Sequence, residues 1–171
     1  MQKVFKINER MVNNFASITG DYNSLHMDEE FARKTKYRQR LVHGMLPFSF
    51  IALIQQYFPG KQVEFLEFDT SFRKPILIDD EIRLDVTYSE TEAGNFSYHA
   101  VWCNHLSEEV VIKSKGSFAL YPLSEDTRNI NNHQTCCVLD TASENLWTIN
   151  EVSNKKEELA PVFRLAQPYL A

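Results

Sequence analysis

Residues 45–58, MLPFSFIALIQQYF, form an apolar run that constrains the fold more than any other part of the chain. Pro47 suits the first turn of a helix, where its missing N–H costs little, and Pro59 with Gly60 ends that helix. A helix that is apolar almost all round is usually buried on most of its circumference. The rest of the chain must therefore supply a surface that covers it.

The covering surface is predicted to be a sheet of antiparallel strands. Residues 81–90 alternate cleanly between apolar and polar, residues 63–72 alternate loosely, and residues 96–103 and 109–121 follow turn signals. The sequence therefore predicts an α+β fold in which an antiparallel sheet wraps around one long central helix. A single layer of this kind leaves an edge or a face poorly covered, which predicts a homodimer.

The composition is that of an ordinary globular domain. The 171 residues carry a net charge of −5 with both signs interspersed, which argues against a nucleic-acid partner. No segment approaches the roughly 20 apolar residues needed to span a bilayer, and residues 1–10 lack the apolar core of a secretory signal. Three cysteines, two of them adjacent at Cys136 and Cys137, fit reduced thiols in a cytoplasmic protein. We expect residues 1–122 to form one domain and residues 123–171 a linker with a C-terminal extension.

A second informative stretch precedes the apolar helix. Asn8 and Gly20 stand where helix caps are expected, and the turn that follows carries Asp21 and His26, five positions apart. An imidazole has an ordinary pKa near 6.5, which suits proton transfer near neutral pH. Gly44 has no side chain, so its backbone N–H can approach an oxygen atom closely. These residues are a candidate acid/base pair and a candidate oxyanion donor.

Two blocks of this stretch resemble a known family. Residues 19–28, TGDYNSLHMD, and residues 41–46, LVHGML, closely resemble the G-D-x-N-P-x-H-x-D and H-G-M elements of the MaoC-like, (R)-specific enoyl-CoA hydratases. Residues 72–82 resemble the strand entry of the same family, and the resemblance covers about residues 4–121. It implies the hot-dog fold. It also implies hydration of trans-2-enoyl thioesters, carried on CoA or acyl carrier protein, to (R)-3-hydroxyacyl thioesters, or the reverse dehydration.

The resemblance also implies roles for individual residues. Asp21 and His26 would form the catalytic dyad that activates water, and Asn23 would orient or support the pair. Gly44 would offer its backbone N–H to the thioester oxygen, and His43 would position the loop before Gly44. No metal and no cofactor are implied, since CoA or phosphopantetheine enters only as part of the substrate. Taken singly, Asp21 could be a turn residue and His26 a packed or surface histidine.

Basic side chains could meet the phosphates of CoA or of a carrier protein. The candidates are Arg73 and Lys74, with Arg38 and Arg40 as further options. Arg73 and Lys74 also fit the simpler interpretation of a solvated strand end. The aromatic residues of the apolar helix and the first long strand could line an acyl tunnel, although core packing is the expected role of most.

The chain departs from the family pattern at two positions. Ser24 replaces the usual proline, which loosens the turn, and Asp79 stands where glycine is common, so that loop could follow a different path.

Two other functions stay open. Hot-dog domains also serve as thioesterases, and a domain of this kind could bind acyl thioesters or assemble with a partner without catalysis.

Overall fold

The computed structural model describes residues 1–92 and 94–122. The predicted linker and C-terminal extension, together with Cys136 and Cys137, lie outside the described residues. The chain divides into two compact units. Within the described part, the first contains Met1–Phe5, Phe50–Lys74 and the residues from Glu81 onward, and the second contains Lys6–Ser49 and Pro75–Asp80.

A five-stranded sheet dominates the first unit. The strands are β1 Gln2–Lys6, β2 Lys61–Phe72, β3 Glu81–Glu90, β4 Phe96–Asn104 and β5 Val110–Pro122, in the spatial order β1-β3-β4-β5-β2. The pairs β3–β4, β4–β5 and β5–β2 are antiparallel, which confirms the predicted antiparallel sheet. The alternating apolar face of β3, Ile82, Leu84 and Val86, is buried.

A β-bulge explains the loose alternation in β2. The register with β5 shifts between Phe65 and Glu67, so one extra residue sits in β2 and the inward-facing phase changes along the strand. Gly116 of β5 lies opposite this irregularity. A Cβ atom at Gly116 would overlap the backbone carbonyl of Glu67 and come within 3.0 Å of the Tyr98 ring. The close approach of the two strands therefore requires glycine at this position.

The apolar run of residues 45–58 is helical, as predicted, but it is not one continuous α-helix. An α-helix covers Met45–Ser49, and a 3₁₀ helix continues over Phe50–Tyr57. The 3₁₀ part belongs to the first unit, where it contacts β2 and β3. Gln55 fixes it there, because its amide group donates to the carbonyl of Lys61 (2.6 Å) and accepts from the N–H of Val63 (2.8 Å).

Aromatic side chains fill the space between this helix and the sheet. Phe58 contacts the rings of Tyr88, Phe96 and Phe118 with centroid distances of 5.3 to 5.6 Å. Phe118 is fully buried. Core packing is thus the observed role for these four rings.

The second unit consists of short helices and loops. Its helices are α1 Glu9–Thr19, α2 Ser24–Met27, α3 Glu29–Lys34 and α4 Met45–Ser49. Capping residues define the first three, with side-chain bonds from Asn8, Asn23 and Asp28 to the first turns. The sequence predicted the Asn8 cap and a turn that carries Asp21 and His26, whereas Asn23 starts the additional short helix α2 within that segment.

Asp79 shows why a glycine is common at its position. Its φ of 73° lies in the left-handed region that glycine favours. The N–H of Asp79 donates to the carbonyl of Ile7 (2.7 Å), and its carboxylate pairs with Lys6 (3.2 Å). The loop therefore keeps the conformation suited to glycine despite the substitution.

Candidate active site

The end of α1 positions Asp21. Gly20 closes the helix in a left-handed conformation, with φ 78°, and its N–H donates to the carbonyl of Ala16. The hydroxyl of Thr19 then accepts a hydrogen bond from the N–H of Asp21 (3.2 Å). One carboxylate oxygen of Asp21 accepts from the N–H of Asn23 (3.2 Å). These local bonds hold a partly exposed carboxylate in one orientation, with its second oxygen available to a ligand.

The short helix α2 and residue 41 position His26. The Asn23 side chain accepts from the N–H of Leu25 and so starts the helix that carries His26. His26 Nδ1 lies 3.0 Å from the carbonyl oxygen of Leu41. A carbonyl oxygen only accepts, so Nδ1 carries the proton and Nε2 of the neutral ring is free to accept one. Asn23 therefore bonds the Asp21 carboxylate through its backbone N–H and caps the helix that carries His26, and its supporting role in catalysis stays a prediction.

His43 is buried behind the pair. Its side chain is 2% exposed, and its Nε2 donates to the backbone carbonyl of Asp21 at 3.0 Å. Its ring packs against His26, with centroids 4.0 Å apart and an interplanar angle of 31°, and against Phe15 at 5.1 Å. His43 thus contacts both the Asp21 turn and the His26 ring, and its supporting role in catalysis stays a prediction.

Asp21, His26 and His43 form one compact cluster. One ligating atom from each residue lies within 4.8 Å of the other two. Two groups that each hydrogen-bond one water molecule at about 2.8 Å lie up to about 5.6 Å apart. The Asp21 carboxylate and the His26 ring can therefore hold a single water molecule between them.

The two histidines of the cluster each make one hydrogen bond to a backbone carbonyl. Since a carbonyl oxygen only accepts, the ring nitrogen that faces it carries the proton in each case. The other nitrogen of each neutral ring is then the one that can accept a proton. The cluster therefore has the groups that proton transfer needs.

Gly44 precedes α4 with its backbone N–H unoccupied. Within the part of the chain that the structure describes, this N–H donates to no backbone or side-chain acceptor. Its carbonyl accepts from the N–H of Phe48 (3.4 Å), and the neighbouring His43 carbonyl accepts from Leu46 (3.0 Å). Gly44 directly follows His43 in the chain, so its backbone N–H lies next to the cluster of Asp21, His26 and His43.

The basic candidates divide into two groups. Arg40, one of the further options, is buried and bonded to α1 and α2, so it is not exposed to meet a phosphate. The sequence carries no signal for these contacts, because the partners are 14 to 31 residues away. Arg73 and Lys74 are exposed after β2, and Lys74 pairs with Glu109 at 3.4 Å. Their role as phosphate contacts stays a prediction.

Comparison with known proteins assigns the family. The sequence profile of the MaoC-like domain matches residues 1–108. The chain belongs to the MaoC-like domain family. The family resemblance seen in residues 19–28 and 41–46 is thereby confirmed.

Among the described residues, no helix has the length and apolar character needed to cross a membrane.

Two curated relatives are similar to part of this MaoC-like chain. The (R)-specific enoyl-CoA hydratase of Aeromonas caviae is 40% identical over 73 residues, which cover 42% of this chain and 54% of that protein. The mitochondrial 3-hydroxyacyl-[acyl-carrier-protein] dehydratase of Arabidopsis thaliana is 44% identical over 69 residues, 40% of each chain. The chain spans about half the length of the curated relatives it matches.

A solved structure confirms the hot-dog fold. The (R)-hydratase from A. caviae involved in PHA biosynthesis is 25% identical and superposes with a TM-score of 0.64. The superposition covers 71% of this chain and 93% of that one. The α+β class and the hot-dog fold predicted from the sequence are therefore correct.

Burial of His43 predicts a pH dependence of stability. Desolvation lowers the pKa of His43 below 6.5; the bond to the Asp21 carbonyl raises it, and the nearby charges of His26 and Arg40 lower it. The unfolded chain takes up this proton at a higher pH than the folded chain. The contribution of neutral, buried His43 to the free energy of unfolding should therefore be fully present above about pH 6.5. It should be lost as the pH drops through the pKa of His43 in the unfolded chain.

Urea unfolding of the wild type and of His43→Gln, at pH values on either side of 6.5, checks this prediction. A glutamine amide can still donate to the Asp21 carbonyl but does not titrate. We expect the variant to lose part of the acid sensitivity of the wild type. An equal loss of stability at low pH in both proteins would exclude His43 as its source.

Proposed function

We propose that this protein hydrates trans-2-enoyl thioesters to (R)-3-hydroxyacyl thioesters, or catalyses the reverse dehydration. It would thus be a lyase. The observation that carries the proposal is the arrangement of Asp21 and His26, whose ligating atoms lie within 4.8 Å of each other in a partly exposed site. The curated relatives named as an enoyl-CoA hydratase and a 3-hydroxyacyl dehydratase support the same reaction class.

In the proposed reaction the dyad activates one water molecule. The water oxygen attacks Cβ of the enoyl group while one dyad member removes a proton, and the electron pair of the C=C bond moves onto the thioester oxygen. A proton then returns to Cα on the same face, which gives syn addition. His26 fits the proton acceptor, because its Nδ1–H is held by the Leu41 carbonyl and Nε2 is free. The Asp21 carboxylate accepts a hydrogen bond from the second O–H of the water, which stays on the product as the 3-hydroxyl.

The developing negative charge needs a donor at the thioester oxygen. The N–H of Gly44 is the proposed donor, since it follows His43 directly and makes no bond within the described residues. Removal of one such donor typically costs on the order of 100-fold in rate. The α-helix behind it covers only Met45–Ser49, so the N–H itself carries most of this stabilisation.

Other parts of the proposal concern the substrate and the assembly. The acyl group would arrive on CoA or on an acyl carrier protein, with Arg73 and Lys74 as candidate phosphate contacts. The reaction as written needs no metal and no cofactor, because water and the dyad supply every atom and proton. We also propose a cytoplasmic homodimer, with residues 1–122 as the catalytic domain.

The loss of enoyl absorbance on mixing the protein with crotonyl-CoA checks the proposed function. We expect hydration of crotonyl-CoA or of a longer enoyl thioester, with no release of free thiol. A thiol reagent in a parallel sample distinguishes the two reactions. Thiol release without loss of the C=C bond would identify a thioesterase instead. Binding of acyl-CoA by calorimetry without turnover would identify an acyl-binding module.

A further inference from the structure

We propose that Arg40 is a positioning residue that sets the separation of the two dyad members, an inference that rests on the proposed function. Arg40 touches neither carboxylate nor imidazole of the dyad among its hydrogen bonds. It acts instead on the two elements that carry them, since Asp21 directly follows α1 and His26 lies on α2.

The guanidinium group joins these two elements directly. Nε donates to the backbone carbonyl of His26 at 2.5 Å. One terminal nitrogen donates to the Glu9 carboxylate at 2.6 Å, and the other donates to the Asn13 side chain at 2.8 Å. The second of these nitrogens also lies 3.9 Å from the sulfur of Met27. One planar group thus bonds α1 on one side and the His26 turn on the other.

The residue after Arg40 adds two more bonds to the same turn. The N–H of Leu41 donates to the carbonyl of Leu25 (3.1 Å), and the carbonyl of Leu41 accepts from the His26 ring (3.0 Å). Residues 40–41 therefore hold the backbone of the turn and the imidazole at once. The Arg40 side chain thus fixes the backbone of His26 through its carbonyl, while the carbonyl of the next residue, Leu41, fixes the proton on His26 Nδ1.

Burial and geometry favour arginine over other residues at this position. The Arg40 side chain is 9% exposed, so its charge requires bonds to all of its nitrogens. Arginine presents donors in a rigid fork, whereas lysine presents a single point charge on a flexible stem. Only the fork can bond α1 and the His26 carbonyl together. A misplacement of about 1 Å in a reacting group can lower a rate about 100-fold.

The experiment compares Arg40→Gln with Arg33→Gln by steady-state hydration of an enoyl thioester. Arg33 is the matched control, because it is 68% exposed on α3 and, within residues 1–92 and 94–122, pairs only with Glu29 of the same helix. We expect a kcat about 10- to 100-fold lower in Arg40→Gln at nearly unchanged KM, counted per folded molecule. Arg33→Gln should match the wild type. Arg40→Lys should fail to restore kcat, since it keeps the charge without the fork.

Equal kcat values in Arg40→Gln and Arg33→Gln would overturn the proposal, as would full rescue by Arg40→Lys. If Arg40→Gln does not fold, the double variant Glu9→Ala/Asn13→Ala tests the positioning role instead. It removes both α1 partners of the guanidinium at exposed positions. A lowered kcat in that folded variant supports the positioning role, and an unchanged kcat overturns it.

A second readout separates this inference from the proposed function. Absence of hydration in the wild type would remove the function but leave the positioning claim testable by NMR of the His26 ring. We expect one ordered set of His26 ring signals in the wild type and in Arg33→Gln, and averaged or shifted signals in Arg40→Gln. Identical His26 signals in all three proteins would overturn the positioning role.

Discussion

Replacement of Asp21 by asparagine should lower kcat for enoyl-thioester hydration about 1000-fold, the middle of the range for general acid–base catalysis. The amide keeps an oxygen that can accept from the Asn23 N–H, so the turn after α1 is retained. It cannot act as a carboxylate toward the bound water. We therefore expect the loss in kcat and little change in KM. The measurement is the loss of enoyl absorbance at saturating substrate, with circular dichroism to confirm the fold.

His26→Asn should have an effect of similar size. The asparagine side-chain N–H can replace Nδ1 as the donor to the Leu41 carbonyl, which preserves the local bond while removing the proton acceptor. The double variant with Asp21→Asn should be only slightly slower than either single variant, because the effects of residues that act as a unit are not additive. Additive losses would show that the two side chains act independently.

Matched controls exist for both substitutions. Asp28→Asn makes the same chemical change seven residues away, and asparagine caps α3 as well as aspartate does. His99→Asn makes the second change at an exposed position on β4. Both controls should keep the activity of the wild type. Dyad variants that retain activity within about tenfold of the controls would contradict the proposed mechanism.

Gly116→Ala should have the largest effect on stability, a loss of about 3 kcal/mol in the free energy of unfolding. The added Cβ would overlap the carbonyl of Glu67, which is backbone held by the β2–β5 ladder. Neither strand can move without breaking ladder bonds beside the bulge. Urea unfolding at equilibrium measures the effect through the midpoint, with the slope as a check on two-state behaviour.

Gly60→Ala separates this steric cost from the conformational cost of losing a glycine. Gly60 has a left-handed φ of 75°, but a Cβ there would meet nothing within 4 Å. Its loss should be about 1 kcal/mol, the cost of placing an L-residue in the left-handed region. Losses of equal size at Gly60 and Gly116 would show that β2 and β5 tolerate the extra atom. The close approach of the strands would then not depend on glycine.

Local sequence signals predicted the elements whose ends are set by neighbouring residues. Asn8 and Gly20 cap α1 as expected, because each cap is one side chain or one backbone conformation acting within a single turn. The clean alternation of residues 81–90 predicted β3, whose inner face is buried. The proximity of Asp21 and His26 also followed from the sequence, since both belong to one short segment.

Features that depend on residues far apart in the chain could not be predicted from local sequence signals. The role of Arg40 rests on Glu9, Asn13 and His26, and nothing in the sequence indicates which distant groups a basic residue will meet. The bulge opposite Gly116 depends on how two strands pair, so the pattern of β2 alone showed only a loose alternation. The apolar pattern of residues 45–57 likewise does not indicate where the α-helix changes to a 3₁₀ helix.

The most direct measurement of the central claim is the product formed from a trans-2-enoyl thioester in D₂O, analysed by chiral chromatography and NMR. In the proposed reaction, a water molecule held by Asp21 and His26 attacks one face of the bound substrate. We therefore expect a single (R)-3-hydroxyacyl thioester, with one deuterium at Cα on the face to which oxygen was added. A racemic or (S) product, deuterium on the opposite face, or free acid and thiol in place of the hydroxy product would contradict the proposed reaction.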